Sequence, residues 1–152
     1  MMVQPMKVRI DESMAYRLHR VARVQRRHFL RLAERVGVDL TPEQWFVLNK
    51  LRQRDGQSPS ELVDAIFGDR PNMTRLVAGL QRRGWVARRA DPTDGRRFQV
   101  HLTLEGAEVH DRFAAQVPET RGAVFAGITE DEMAITMRVL VRLEANLLAD
   151  KS

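Results

Sequence analysis

Residues 58–102 read SPSELVDAIFGDRPNMTRLVAGLQRRGWVARRADPTDGRRFQVHL, and this stretch decides the fold. A helix is predicted to start here, because Ser58 supplies an N-cap, Pro59 suits the first helical position and Glu61 can close a capping box. Gly68 is predicted to end this helix, and a second helix follows at once. Two short helices joined by a glycine turn are typical of a helix-turn-helix, whose second helix enters the DNA major groove.

The second predicted helix opens near Asp69, and its inward stripe consists of Met73, Leu76, Val77 and Leu80. After Gly84, residues 85–89 and 97–102 alternate in the manner of strands. Residues 91–95 between them are rich in turn-forming types. The sequence therefore predicts a β-hairpin with a basic tip directly after the second helix, which is the wing of a winged helix-turn-helix.

Three segments of this chain resemble the MarR (multiple antibiotic resistance regulator) family of bacterial transcription factors: SPSELVDAI, MTRLVAGLQRRGWVARRADPTDGRR and HLTLEGAEV. The most distinctive part runs from Arg88 to Arg96 and ends in D-x-R, and L-T-x-x-G follows at residues 102–106. The resemblance implies a mainly α-helical fold with a small β-hairpin.

The same resemblance implies one MarR-type domain over residues 1–152. Within it, residues 41–102 would form the winged helix-turn-helix DNA-binding lobe, and residues 12–36 and 103–150 would be dimerisation helices. An obligate homodimer has two such DNA-binding lobes related by a two-fold axis, which implies a pseudo-palindromic operator in double-stranded DNA. The apolar content of the terminal helices agrees independently, because it exceeds what a single small domain can hide.

The segments outside the lobe are predicted to be helical. A long helix over Ser13–Val36 places Met14, Leu18, Val21, His28, Leu32 and Val36 on one face. Thr41 and Thr129 each begin a capping-box pattern, and Thr103 can cap a helix that Pro118 is predicted to kink.

The composition excludes several kinds of chemistry. The chain has no cysteine, so disulfides, thiolate metal sites and cysteine nucleophiles are ruled out. No apolar run approaches the roughly 18 residues of a membrane span, and the N-terminus lacks the apolar region of a signal peptide. We therefore expect a cytoplasmic protein.

Positive charge is concentrated in the predicted lobe. The whole chain carries a formal net charge of +5, whereas the segment from Arg70 to Arg97 alone has eight arginines and two aspartates. Such a patch neutralises phosphates and releases counterions. The alternative is that the run is simply a solvated face.

Residues near the start of the second helix are candidates for contact with DNA, and they are Arg70, Asn72, Thr74 and Arg75. The alternative for Arg75 is an ion pair with an acid inside the lobe. By the resemblance, Arg96 is the wing arginine that enters a minor groove and Asp94 positions the loop. Arg97 is also a candidate, although the family commonly has a small or apolar residue there.

A small aromatic or anionic effector is expected near His19, Arg23 and Trp45, since the family's phenolic-ligand pockets lie between the dimerisation and DNA-binding regions. The alternative for Trp45 is a place in the core, because its spacing to Leu48 and Leu51 is that of a buried stripe.

Together with these patterns, the resemblance implies a dimeric, ligand-responsive, sequence-specific transcriptional regulator that acts as a repressor. The alternative is a winged-helix module for protein association or for non-specific nucleic-acid architecture. No nucleophile–base pair or phosphate-binding glycine loop points to an enzyme, and no cofactor is implied. No metal site is predicted either, because the four histidines lack a metal-binding spacing: His19, His28, His101 and His110.

Overall fold

The structure, a computed structural model, describes residues 9–66 and 70–150. A 3-10 turn at Ile10–Glu12 precedes seven helices and two strands in these ranges: α1 Met14–Arg35, α2 Pro42–Gln53, α3 Pro59–Ile66, α4 Arg70–Arg82, β1 Val86–Ala90, β2 Phe98–Leu102, α5 Leu104–Ala114, α6 Val117–Val124 and α7 Glu130–Ala149. The predicted helix end at Gly68 and helix start near Asp69 lie outside the described residues.

Three helices begin at the capping boxes that the sequence predicts. Thr41, Ser58 and Thr129 each accept, on the side-chain oxygen, the N–H of the residue three positions later, at 3.2–3.3 Å. The side chain of that later residue accepts the cap's own N–H in return. The starts of α2, α3 and α7 are thus confirmed, and each cap satisfies donors that the helix itself cannot satisfy.

The predicted hairpin is confirmed as an antiparallel pair running from Val86↔Leu102 to Ala90↔Phe98. The predicted strand starts at residues 85 and 97 were each one residue too early. Trp85 instead closes the end of α4, since its N–H donates to the carbonyl of Leu80 at 3.0 Å. Arg97 belongs to the turn, because its N–H donates to the carbonyl of Asp94 at 2.9 Å.

The predicted kink at Pro118 is wrong, because the chain forms two helices there. Helix α5 ends at Ala114 and α6 begins at Val117. A proline lacks the N–H for the bond to the carbonyl four residues earlier, and its ring clashes with that carbonyl. Pro118 is instead the second residue of α6, where the missing donor costs nothing.

The chain divides into two compact units, one up to Gln116 and one from Val117. The core of the first unit lies among α2, α3, α4, the hairpin and α5, and the end of α1 contributes to it. Its buried apolar residues include Leu32, Leu40, Val47, Leu48, Leu51, Leu62, Met73, Val77, Leu80, Trp85, Val86, Val100, Val109 and Phe113.

The apolar stripe predicted for α1 is buried only near its C-terminal end. Leu32 is 4% exposed, whereas Met14 and Val21 are 59% and 56% exposed. In the second unit, α7 contains no buried residue. Both helices therefore leave apolar surface in solvent within a single chain.

The start of α5 lies against the backbone of Trp85. A Cβ atom at Gly106 would lie 2.0 Å from the carbonyl oxygen of Trp85 and 2.9 Å from its carbonyl carbon. Thr103 strengthens the junction, because its N–H donates to the Trp85 carbonyl at 3.1 Å and its hydroxyl donates to the Gly84 carbonyl at 2.6 Å. The L-T-x-x-G pattern thus has a steric reason in this chain.

We expect Gly106→Ala to destabilise the protein strongly, because the added methyl overlaps backbone that cannot rotate away. Overpacking of this kind costs about 1–3 kcal/mol or more. Thermal and urea unfolding measure the loss. The control is Gly79→Ala in α4, where the nearest atom would be the Arg82 guanidinium at 3.8 Å. Removing a mid-helix glycine there should stabilise by about 0.5–1 kcal/mol, so equal effects of the two substitutions would contradict this steric account.

Candidate nucleic-acid interface

Helix α4 has one face in the core and the opposite face in solvent. Met73, Val77 and Leu80 are buried. The four side chains of α4 that the sequence predicts to approach DNA are all exposed: Arg70, Asn72, Thr74 and Arg75. The helix therefore presents charged and polar groups to solvent while its opposite face is buried in the core, as a recognition helix must.

Within the described residues, Thr74 and Arg75 differ in whether their side chains bond to other parts of the protein. The Thr74 hydroxyl donates to the carbonyl of Arg70 at 3.1 Å, so its lone pairs are the part that faces solvent. Over residues 9–66 and 70–150, no ion pair involves Arg75. The acid that the sequence allowed as an alternative partner for Arg75 is thus not found among these residues.

The wing tip, defined here as residues 91–97, carries Arg96 and Arg97 on an ordered turn. The backbone N–H of Arg96 donates to Oδ1 of Asp94 at 3.1 Å. Oδ2 of Asp94 lies 3.4 Å from Nε of Arg97, whose side chain is 77% exposed. Asp94 therefore contacts both arginines, and both guanidinium groups remain available to solvent.

Asp91 was missed by the sequence analysis, although it makes the densest set of bonds in the wing tip. Its Oδ1 accepts the N–H of Thr93 at 2.8 Å, the hydroxyl of Thr93 at 2.7 Å and the N–H of Asp94 at 3.3 Å. The hydrogen bonds from Thr93 are the main reason that the pKa of Asp91 is lowered. The D-P-T-D sequence was the available signal, since an aspartate commonly bonds the backbone two residues later in a turn.

The base of the wing is tied to the connection between α2 and α3. Gln57 pairs with Val100 through both backbone bonds, at 2.8 and 3.2 Å. Asp55 accepts the N–H of Leu102 at 2.7 Å and contacts Nδ1 of His101 at 2.9 Å. Burial acts to raise the pKa of Asp55, but the hydrogen bonds from Leu102 and His101 outweigh it and lower that pKa.

Not every arginine of the basic segment is available to a partner. Arg83 donates to the backbone carbonyl and to Oδ2 of Asp39, at 2.5 and 2.6 Å. Its guanidinium also lies over the Trp85 ring, 4.8 Å from the centroid. Arg88 lies 4.7 Å from the centroid of the Phe98 ring and stays exposed. Arg83 is therefore engaged by contacts within the chain, with Asp39 before α2 and Trp85 after α4, and the free basic surface belongs to α4 and the wing.

The three candidate ligand residues are not brought together by direct contacts. His19 and Arg23 are exposed and lie one turn apart on α1. Trp45 is half-buried and packs against the core. In the part of the chain that the structure describes, no hydrogen bond, ion pair or ring contact joins Trp45 to His19 or Arg23. Trp45 thus packs against the core, as in the alternative considered from the sequence.

Trp45 belongs to a mixed aromatic and polar cluster between α2 and α5. Its indole stacks on the imidazole of His110, with centroids 4.6 Å apart and planes at 9°. The two imidazole nitrogens contact Oδ1 of Asp111 at 2.8 Å and Oδ1 of Asn49 at 3.1 Å. Asp111 also accepts two bonds from Arg52, at 3.1 and 3.0 Å.

Two surface hollows, of about 480 and 500 Å³, lie away from these ligand candidates. The first is lined mainly by the end of α1 and the following turn, and the second by α2, α3 and their connection. Neither is lined by His19, Arg23 or Trp45. Among residues 9–66 and 70–150, no group of three metal-binding side chains is found, and no helix is long and apolar enough to cross a bilayer.

Residues 38–97 of this chain match the model of the MarR family. The match begins before α2 and ends at the last residue of the wing tip, so it covers α2, α3, α4, β1 and the turn, and β2 lies just beyond it.

Solved structures extend this likeness to most of the chain. One is the PcaV transcriptional regulator of Streptomyces coelicolor in complex with its natural ligand, at 27% identity, with 95% of this chain and 98% of that chain covered and a TM-score of 0.75. Another is apo MarR from E. coli, at 26% identity, with 86% and 96% covered and a TM-score of 0.67. The S. aureus MepR–DNA complex shares the fold at 21% identity, with 90% and 98% covered and a TM-score of 0.79.

The cluster around Trp45 predicts a specific pH dependence of stability. The hydrogen bonds from Arg52 and His110 lower the pKa of Asp111 from its ordinary 3.8 to about 2. Because the folded pKa is the lower one, this stabilisation is complete above pH 3.8 and is lost as the pH falls toward 2. Asp111→Asn should therefore melt at a lower temperature at neutral pH and lose less stability between pH 4 and 2 than the wild type.

The melting temperature measured by circular dichroism across that pH range tests the assignment. Glu108→Gln is the control, because Glu108 is an exposed acid on the same helix and makes no ion pair within the described ranges. It should follow the wild-type curve. Parallel curves for Asp111→Asn and the wild type would show that the Arg52–Asp111 pair does not contribute.

Proposed function

We propose that this chain is a homodimeric, sequence-specific DNA-binding repressor of the MarR family, and that a small molecule relieves its operator binding. The observation that carries the proposal is the paired display of exposed arginines on α4 and on the wing, both mounted on one buried core. The protein acts in the cytoplasm by binding, without catalysing a reaction.

The two arginine-bearing elements have different tasks on DNA. Side chains near the start of α4 reach base edges in the major groove, where arginine matches guanine and asparagine matches adenine. This assigns base contact to Asn72, Thr74 and Arg75, and phosphate or base contact to Arg70. The wing follows the backbone to the neighbouring minor groove, whose negative potential attracts Arg96. Arg97 contacts phosphate, and Asp94 positions the loop.

A second copy of the chain covers the apolar surface of the terminal helices. Helix α7 exposes a row of large apolar side chains: Ile135, Met137, Val139, Val141, Leu147 and Leu148. Residues 12–36 and 103–150 act as dimerisation helices, and residues 41–102 form the DNA-binding lobe of a single MarR-type domain. Helix α5 has a double task, since Val109 and Phe113 also belong to the lobe core. Two lobes on a dyad match half-sites about 34–36 Å apart in a pseudo-palindromic operator.

The effector is a small aromatic or anionic molecule that binds near His19, Arg23 and Trp45. The exposed guanidinium of Arg23 offers paired donors for a carboxylate, and the half-buried Trp45 offers apolar surface. The complex of PcaV with its natural ligand supports this class of regulation. A ligand that favours a different separation of the two lobes lowers DNA affinity by linkage.

We expect Arg96→Ala to lower operator affinity about 10- to 100-fold, because a positioned groove arginine contributes roughly 1–3 kcal/mol. Fluorescence anisotropy at one fixed salt concentration measures the loss. The probe is a duplex of about 25 base pairs, long enough for two half-sites one turn apart, that the protein selects from a random-sequence pool. Sedimentation should show an unchanged dimer.

Arg112→Ala is the matched control, since it removes one exposed positive charge from α5, outside α4 and the wing. It should change affinity much less. Equal binding by wild type and Arg96→Ala would remove the wing from the interface. Failure of the pool to yield any preferred sequence would favour the alternative, a winged-helix module for protein association or non-specific nucleic-acid architecture.

The effector is tested by titrating benzoate and hydroxybenzoates into the protein–DNA complex and into free protein. An effector should lower operator affinity about 5- to 150-fold, and the DNA-free protein must bind it more tightly by the same factor. Arg23→Ala should bind DNA normally and lose this response. Ligand binding that leaves DNA affinity unchanged would show that the site is not a switch.

A further inference from the structure

The wing tip forms a chain of hydrogen bonds that leads from Asp91 to Arg96. Oδ1 of Asp91 accepts two bonds from Thr93 and one from the N–H of Asp94. Asp94 in turn accepts the N–H of Arg96 on its own Oδ1. Oδ1 of Asp91 thus fixes the backbone of Asp94, and Asp94 in turn fixes the backbone of Arg96.

The same turn is closed at its base by backbone bonds. The N–H of Asp91 donates to the carbonyl of Arg97 at 3.0 Å, and the N–H of Arg97 donates to the carbonyl of Asp94 at 2.9 Å. Asp91 is therefore bonded at both its backbone and its side chain, and the partners all lie within residues 91–97. The conformation of the tip depends on these internal bonds.

The charge of Asp91 cannot itself favour DNA. The carboxylate is ionised at neutral pH, because the hydrogen bonds from Thr93 lower its pKa further. A negative charge beside phosphates is repulsive. Any favourable effect of Asp91 on DNA binding must therefore come from the conformation that it holds.

We propose that Asp91 is a positioning residue for Arg96, which it acts on through Asp94 by fixing the wing tip before DNA arrives. This inference rests on the proposed function, since it assumes that Arg96 enters a groove. A preformed tip spares the entropy cost of ordering a flexible loop on binding. Asp91 need not touch DNA to do this.

The test compares Asp91→Ala and Asp91→Asn alone and in the Arg96→Ala background, with the selected duplex at one fixed salt concentration. Asp91→Ala removes the acceptor and should lower affinity about 5- to 10-fold, the cost of ordering roughly one residue. Asn keeps a carbonyl oxygen at the position of Oδ1, so Asp91→Asn should recover most of the loss. In the Arg96→Ala background, Asp91→Ala should change affinity less than about two-fold, because coupled residues do not add.

The outcomes separate positioning from charge and from general stability. Glu108→Ala is the charge control, since it removes an exposed carboxylate of the same unit outside the wing. If Asp91→Ala behaves like Glu108→Ala, or if it weakens binding equally in both backgrounds, the proposal is overturned. If Arg96→Ala itself binds like the wild type, the groove assignment fails first and the positioning role falls with it. The Asp91 variants should have melting temperatures within about 2 °C of each other. A larger shift would mean that the substitution destabilises the fold as a whole, because each kcal/mol of lost stability lowers the melting temperature by several degrees.

Discussion

The contact between the start of α5 and the backbone of Trp85 is the constraint on which the lobe depends. Trp85 ends α4 through its bond to Leu80, and its carbonyl accepts the N–H of Thr103 at the start of α5. Gly106 allows α5 to lie directly on that backbone. The end of α4, the base of the wing and the start of α5 therefore meet at Trp85.

Much of this arrangement is predictable from local chemistry. The capping boxes at Thr41, Ser58 and Thr129 fix helix starts within a few residues, so their positions follow from spacing alone. The strand limits were missed by one residue, because long-range bonds at Trp85 and the turn bond at Arg97 decide them. The two-helix break at Pro118 was missed because a proline pattern does not distinguish a kink from a new helix.

In the candidate site too, some features follow from local sequence and others depend on residues that are distant in the chain. Exposure of the α4 side chains follows from the helical period, because the buried stripe determines the opposite face. The ion pair of Arg83 could not be predicted, since its partner Asp39 lies 44 positions earlier. Asp55 was also missed, because its bonds to His101 and Leu102 join segments that are distant in sequence. The spacing of apolar residues thus predicts which face of a helix is exposed, whereas the bonding partner of a side chain depends on how distant segments pack.

The pairing of Gln57 with Val100 has a consequence for the behaviour of the protein at high concentration. A two-stranded hairpin normally offers open backbone donors and acceptors on both edges, and such edges promote strand addition between molecules. Here the outer edge of β2 is occupied, because Gln57 uses the N–H and carbonyl of Val100 and Asp55 uses the N–H of Leu102. The β1 side carries the charged side chains of Arg88 and Arg89, which repel a neighbouring copy. The wing is thereby protected against edge-to-edge aggregation while it remains exposed for its partner.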